Sequence, residues 1–189
     1  MDTDRKWVVV RIDGKIAAIS TDYRLLASIS TALAQKSPDR VYGEITATAI
    51  SFDEVWELRK EVKWEDLILF GTDFQKKVWR KLWELTHSSG STELICYSDF
   101  AELCSNRAGV RAVAHAIGLN PVSVIIPCHL VIPKESIDKI RDIKKKAEAT
   151  IFKGDDLCLN SILSDDSIDF GNYGLGRKLK RKLILKEFS

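Results

Sequence analysis

Asp13-Gly14 stands between two apolar runs, and that arrangement leaves the chain's beginning little choice but a tight β-hairpin. Strands are predicted at Trp7–Ile12 and Lys15–Ser20. A third is predicted within 43–52, where apolar and small residues alternate with threonine. Between them, Leu26, Ile29 and Leu33 recur at helical spacing over 24–35, with Pro38 beyond the end. A helix over 53–62, capped by Asp53, closes this part. The period then changes. Phe74, Val78, Leu82 and Leu85, with Trp79 and Trp83, predict an amphipathic helix over 72–86. The fold class expected is α+β: a small N-terminal sheet domain, 1–71, followed by a mainly helical domain, 72–189.

After a Ser/Gly loop at 87–92, Ser98 is placed to cap a short helix carrying Phe100, Leu103 and Cys104. A turn at 106–109 leads to a second helix with Val110, Val113, Ala114 and Ile117 on one face, ended by Gly118 and Asn120-Pro121. Two short helices about a Gly-containing turn have the form of a helix-turn-helix, and Arg111 lies just inside the second, off its apolar stripe. Residues 134–170 differ in character and read as an insertion: one helix around 135–149 with a basic run at 141–146, then a mobile polar remainder.

The 189 residues carry 29 basic and 27 acidic side chains, so overall charge does not announce a nucleic-acid binder. The charge is uneven, however. The last segment, 171–189, holds six basic residues and one acidic, a net +5. Four cysteines without a CxxC pair argue against a secreted disulfide scaffold, and three histidines show no zinc-ligand spacing. No apolar stretch is long enough to span a bilayer. An intracellular protein is expected, cytoplasmic in a bacterium or nuclear in a eukaryote, a monomer, with no cofactor, metal or membrane.

The chemistry centres on VSVIIPCHLVIP. Cys128 has His129 as its neighbour. A free thiol titrates near 8.5, so near neutrality it needs a base to become the nucleophilic thiolate. An imidazole can take that proton directly or through one water, and a carboxylate on its far nitrogen would fix its tautomer.

NPVSVIIPCHLV resembles the active-site motif of the O6-alkylguanine-DNA alkyltransferases, with the same eight-residue spacing from Asn120 to Cys128. FQKKVWRKLWEL, YSDFAEL, VRAVAHAIGLNP and GNYGLGRKLKRKLILKE resemble further segments of that family, in family order. The resemblance covers 72–133 and 171–188, and the first 71 residues fit loosely as the family's ribonuclease-H-like domain. It implies single-turnover repair of double-stranded DNA, in which an alkylated guanine swings out through the minor groove and gives its alkyl group to Cys128. His129 and Glu187 would be the base and its orienter, and Asn120 the hinge of the active-site loop. Arg111 would fill the vacated place in the stack, and Tyr97 would help turn the nucleotide. The carbonyls of Cys128 and Val131 would take the exocyclic amine, Ile117 would pack on the base, and Tyr173 would line the alkyl pocket. Residues 177–186 and Lys76, Lys77, Arg80 and Lys81 would meet phosphates. Leu130 replaces the family's arginine after Cys-His, Gly174 replaces a serine and offers its backbone N–H, and His115 replaces a small residue. The alternative is a relative that binds alkylated DNA without efficient transfer.

Overall fold

A computed structural model describes residues 6–22, 43–87, 92–150 and 159–189, without the side chains of 148–150. The helix expected over 24–35, the Ser/Gly stretch 88–91 and Cys158 fall outside these residues. The fold is mixed α/β, with a small N-terminal antiparallel sheet and a largely helical remainder. Two compact units are each assembled from two stretches: Met1–Glu84 with Ala116–Cys128, and Leu85–His115 with His129–Ser189.

In the first unit, β1 (Trp7–Ile12), β2 (Lys15–Ser20) and β3 (Ile45–Ile50) form a sheet in the order β2-β1-β3. The hairpin turns at Asp13 and Gly14, whose φ angles of 50° and 78° are both left-handed. A two-residue type I′ loop requires that, and Asp-Gly supplies it at little cost. Helix α1 (Phe52–Glu61) starts one residue earlier than expected, and its cap is Ser51 rather than Asp53. The Ser51 hydroxyl accepts the Glu54 N–H at 3.2 Å, and the Glu54 carboxylate accepts the Ser51 N–H at 2.7 Å. This reciprocal box satisfies two N–H groups and leaves Asp53 to the first turn. Helix α2 (Asp73–His87) opens the same way, with Thr72 and Gln75 exchanging bonds of 2.8 and 3.2 Å. It buries Val78, Trp79, Leu82 and Trp83.

The free edge of β2 does one further thing. The Ile19 N–H donates to the Pro121 carbonyl at 2.9 Å, and the Ser123 N–H donates to the Ile19 carbonyl at 3.1 Å. The loop running toward Cys128 is thereby pinned to the sheet like a fragment of a further strand.

In the second unit, β4 (Ile95–Cys96) pairs in parallel with β5 (Val131–Ile132). Helix α3 (Tyr97–Leu103), a turn ending in the 3₁₀ segment Arg107–Gly109, and α4 (Val110–Gly118), of which Val110–His115 lie in this unit and Ala116–Gly118 in the first, form the expected helix pair. Gly109 packs so closely on Asn106 that a Cβ there would meet that side chain at 2.4 Å. The N-cap of α3 is Cys96, without a side-chain cap bond. The Ser98 hydroxyl is instead engaged with Cys96 Sγ and the Asp99 carboxylate.

Helix α5 (Lys134–Thr150) confirms the helix expected in the insertion. Of the remainder expected to be mobile, the described residues 159–170 depart from that expectation. After α6 (Leu159–Leu163) the chain buries Ile168 and Phe170, and these join Ile162, Leu163, Ile132 and Ile184 of α7 (Arg177–Glu187) in one core. Four apolar side chains spread over nine positions outweigh the acidic pair between them, because burying each stabilises by about 1.5–3 kcal/mol.

Candidate active site

The thiol lies in the first unit. Cys128 is 6% exposed, at the end of the loop that β2 pins. Asn120, 5% exposed, organises this loop with one amide. Its Oδ1 accepts the Val122 N–H at 3.0 Å, and its Nδ2 donates to the Ile126 carbonyl at 2.8 Å and to Cys128 Sγ at 3.1 Å. The orientation is not arbitrary. A backbone N–H can only donate, so the amide oxygen must face Val122 and the NH₂ must face the sulfur. A donor aimed at sulfur favours the thiolate over the thiol. Between these anchors Val124 sits at φ 75°, left-handed and fully buried. A β-branched residue there stores about 1–2 kcal/mol of strain, which the surrounding bonds must overcome.

The imidazole lies in the second unit. His129 is fully buried, and its Nε2 is 2.7 Å from Glu187 Oε1, whose side chain is only 5% exposed. Cys128 and His129 are consecutive and share the short 3₁₀ turn Cys128–Leu130. Glu187 reaches His129 because α7 presents Lys180, Leu183, Ile184 and Glu187 on one face, at the i, i+3, i+4, i+7 positions.

Lys180 is the residue that sequence reasoning misplaced. Counted among the phosphate-seeking cations, it is 1% exposed and donates to the Val131 carbonyl at 2.8 Å. Its Nζ also lies 3.5 Å from the Asn172 carbonyl and 5.8 Å from the centre of the Tyr97 ring. Carbonyl dipoles and a ring face compensate the desolvated charge. One acceptor position of the Val131 carbonyl is therefore taken, and a carbonyl has a second. The signal was in the sequence: the helical phase that exposes Lys178 buries Lys180 with Leu183 and Ile184.

Arg181 is also committed. It donates to the carbonyls of Leu163, Asp165 and Ile168 at 3.1, 3.1 and 2.6 Å, and lies over the Phe170 ring. Arg177 bonds Asn172 and Asp169. The helix expected to be a row of phosphate contacts thus spends half its cations holding the insertion and its own approach loop. On α2, Arg80 and Lys81 both engage Glu84. The Lys81 hydrogen bond is the chief cause holding the Glu84 carboxyl below its ordinary range. Lys76, Lys77 and Lys178 are exposed.

The other expected residues are placed as follows. Arg111 and His115 are exposed on α4, and Ile117 is buried there. Tyr97 begins α3 half-buried. Tyr173 is half-buried and its carbonyl accepts the Gly176 N–H in the turn into α7. Gly174 is exposed, with open space about its α-carbon. Leu130 is fully buried, so the position lacking the family's arginine carries no charge to neutralise. Among the described residues no group of three or more His, Cys, Asp or Glu side chains could hold a metal ion. No helix among them is long and apolar enough to cross a membrane.

Residues 73–149 match the family described as 6-O-methylguanine DNA methyltransferase, DNA binding domain. The matched segment is less than half of the chain. A probable methylated-DNA–protein-cysteine methyltransferase of Acanthamoeba polyphaga mimivirus is 45% identical over 71 residues, 38% of this chain and 45% of the relative. The inducible methylated-DNA–protein-cysteine methyltransferase of Bacillus subtilis is 48% identical over 64 residues, 34% of each chain. The matches thus span less than half of these methyltransferases. The crystal structure of O6-methylguanine-DNA methyltransferase from Pyrococcus kodakaraensis shares the fold, with a TM-score of 0.52 over 98% of this chain and 94% of that one, at 23% identity.

Proposed function

We propose that the protein repairs DNA by accepting the alkyl group of an O6-alkylguanine irreversibly on Cys128. The observation that carries this reading is the Asn120 amide donating to Cys128 Sγ at 3.1 Å. The buried His129–Glu187 pair, which begins at the very next residue, supports it. His129 takes the thiol proton, directly or through a water, and Glu187 stabilises the imidazolium. The thiolate attacks the alkyl carbon, the carbon–O6 bond breaks, and the guanine leaves as an anion that takes up a proton. The product is a thioether, so each molecule acts once. No cofactor enters this balance.

The alkyl carbon is out of reach in stacked duplex, so the nucleotide must be rotated out at a cost of a few kcal/mol. Arg111 is the side chain we assign to the vacated place, entering through the minor groove, where reading is largely independent of sequence. Tyr97 turns the nucleotide, Ile117 packs on the base, the Cys128 and Val131 carbonyls accept its amine, Gly174 offers an N–H, and Tyr173 lines the alkyl pocket. The partner is duplex DNA, bound by a monomer, and 72–189 is the part that handles it.

Incubation with a duplex carrying O6-methylguanine should leave one methyl group in place of the thiol hydrogen on the Cys128 peptide, read by intact-mass and peptide mass spectrometry. Cys128→Ser should carry none. Absence of the adduct, with tight and selective retention of the alkylated duplex, would replace this reading by that of a binding protein.

A further inference from the structure

We infer that the C-terminal half of α5 is a second contact for duplex phosphates, beside the helix-turn-helix and distinct from it. The inference rests on the proposed DNA-handling role. Helix α5 is polarised in charge. Residues 134–139 carry two basic and two acidic side chains, net zero, whereas 141–146 carry four basic residues and one acidic, net +3. Lys139 donates to the Ser167 carbonyl at 2.7 Å, and Arg141 bonds Asp138 at 3.1 Å. Lys144, Lys145 and Lys146 follow in succession, all exposed.

Complementing the helix dipole does not account for them. That effect fades within the last turn, and the last turn of α5, which ends at Thr150, contains no basic residue. Nor is α5 a loose appendage. Ile137, Ile140 and Ile143 pack on the core of the second unit, and Arg181 clamps the returning chain. The location points to DNA. An open groove of about 420 Å³ is bounded by Asp99 and Leu103 of α3 and by Ile137 and Arg141 of α5. The basic run therefore begins beside the first helix of the pair, the one that crosses the phosphate backbone in helix-turn-helix proteins. From Arg141 to Lys146 the helix rises about 7.5 Å, so the lysines lie within about one and a half turns of that groove.

The experiment uses the full chain and the triple variant Lys144→Gln, Lys145→Gln, Lys146→Gln, titrated with undamaged and O6-methylguanine duplexes of about one and about three helical turns at several salt concentrations. On the longer duplex, the slope of log affinity against log salt should become shallower by about 2–3, with affinity at low salt falling about tenfold or more. The loss should be the same with and without the lesion. On the short duplex it should nearly vanish, and the methylation rate of Cys128 at saturating duplex should not change. The Lys→Arg triple variant should restore slope and affinity. An unchanged slope on the longer duplex, or a loss that the arginines do not restore, would overturn the inference. So would a loss confined to binding of anionic lipid vesicles. If the wild-type chain failed to methylate Cys128 and bound no duplex, the repair reading itself would fall, a result distinct from each of these.

Discussion

Replacing Glu187 by Gln tests the link between the imidazole and the thiol while keeping shape and a hydrogen-bond acceptor in place. The pair is buried on both sides, with 2.7 Å between Nε2 and Oε1. A net hydrogen bond to a charged group contributes about 1.5–3 kcal/mol, and a neutral one about 0.5–1.5. Exchanging one for the other therefore removes about 1–2 kcal/mol of preference for the imidazolium. If His129 carries the thiol proton as the thiolate attacks, that whole difference appears in the barrier, a fall of about five- to thirtyfold in single-turnover methyl transfer. The same difference raises the pH at which the thiol becomes reactive by about one unit, measurable from the rate of iodoacetamide alkylation against pH. The amide still fills the site, so the thermal midpoint should move only a few degrees. A rate within twofold of wild type with an unshifted alkylation profile, in a protein of normal stability, would show that Glu187 does not act through His129.

Asn120→Ala should leave the Val122 N–H without its partner and remove one of two donors from the Ile126 carbonyl, which keeps the Cys128 N–H, costing about 1–3 kcal/mol in denaturant unfolding and slowing thiol alkylation. Arg181→Ala should release three carbonyls and admit protease to 159–170, an effect readable by limited proteolysis, while Lys180→Ala should not direct cleavage there. Glu54 is held below its ordinary pKa chiefly by the Ser51 backbone N–H. Its contribution is thus present above the unfolded pKa and lost as pH falls through the folded one. Glu54→Gln should lower the melting temperature at neutral pH, and the difference should close on acidification.

Local chemistry was the legible part of this sequence. Asp13-Gly14 specifies its own turn, the spacing from Val78 to Trp83 specifies a buried stripe, and Cys128-His129 needs no fold to be noticed. Cap positions were misjudged because a cap depends on where the preceding strand stops. With β3 ending at Ile50, Ser51 takes the role given to Asp53. Counting charges by segment concealed Lys180 and Arg181, since helical phase decides which cation reaches solvent. Composition likewise hid the apolar side chains that fold 159–170 into the core. Glu187 is 58 positions from His129, and no local pattern joins them. Only the resemblance brought that carboxylate into the site. The full use of the Asn120 amide depends on the left-handed Val124 and could not be read from spacing.

The sheet contains none of the reacting groups, yet the height of the sulfur is measured from it. Two bonds to Ile19 set the starting point of the loop, and everything up to Cys128 is counted off from there. Under the proposed repair function, damage to β2 should thus look like damage to a nucleophile: a protein that still binds duplex but meets the lesion with its thiol out of alignment. Inactivating substitutions near residue 19 would be mechanical faults in a catalytic part.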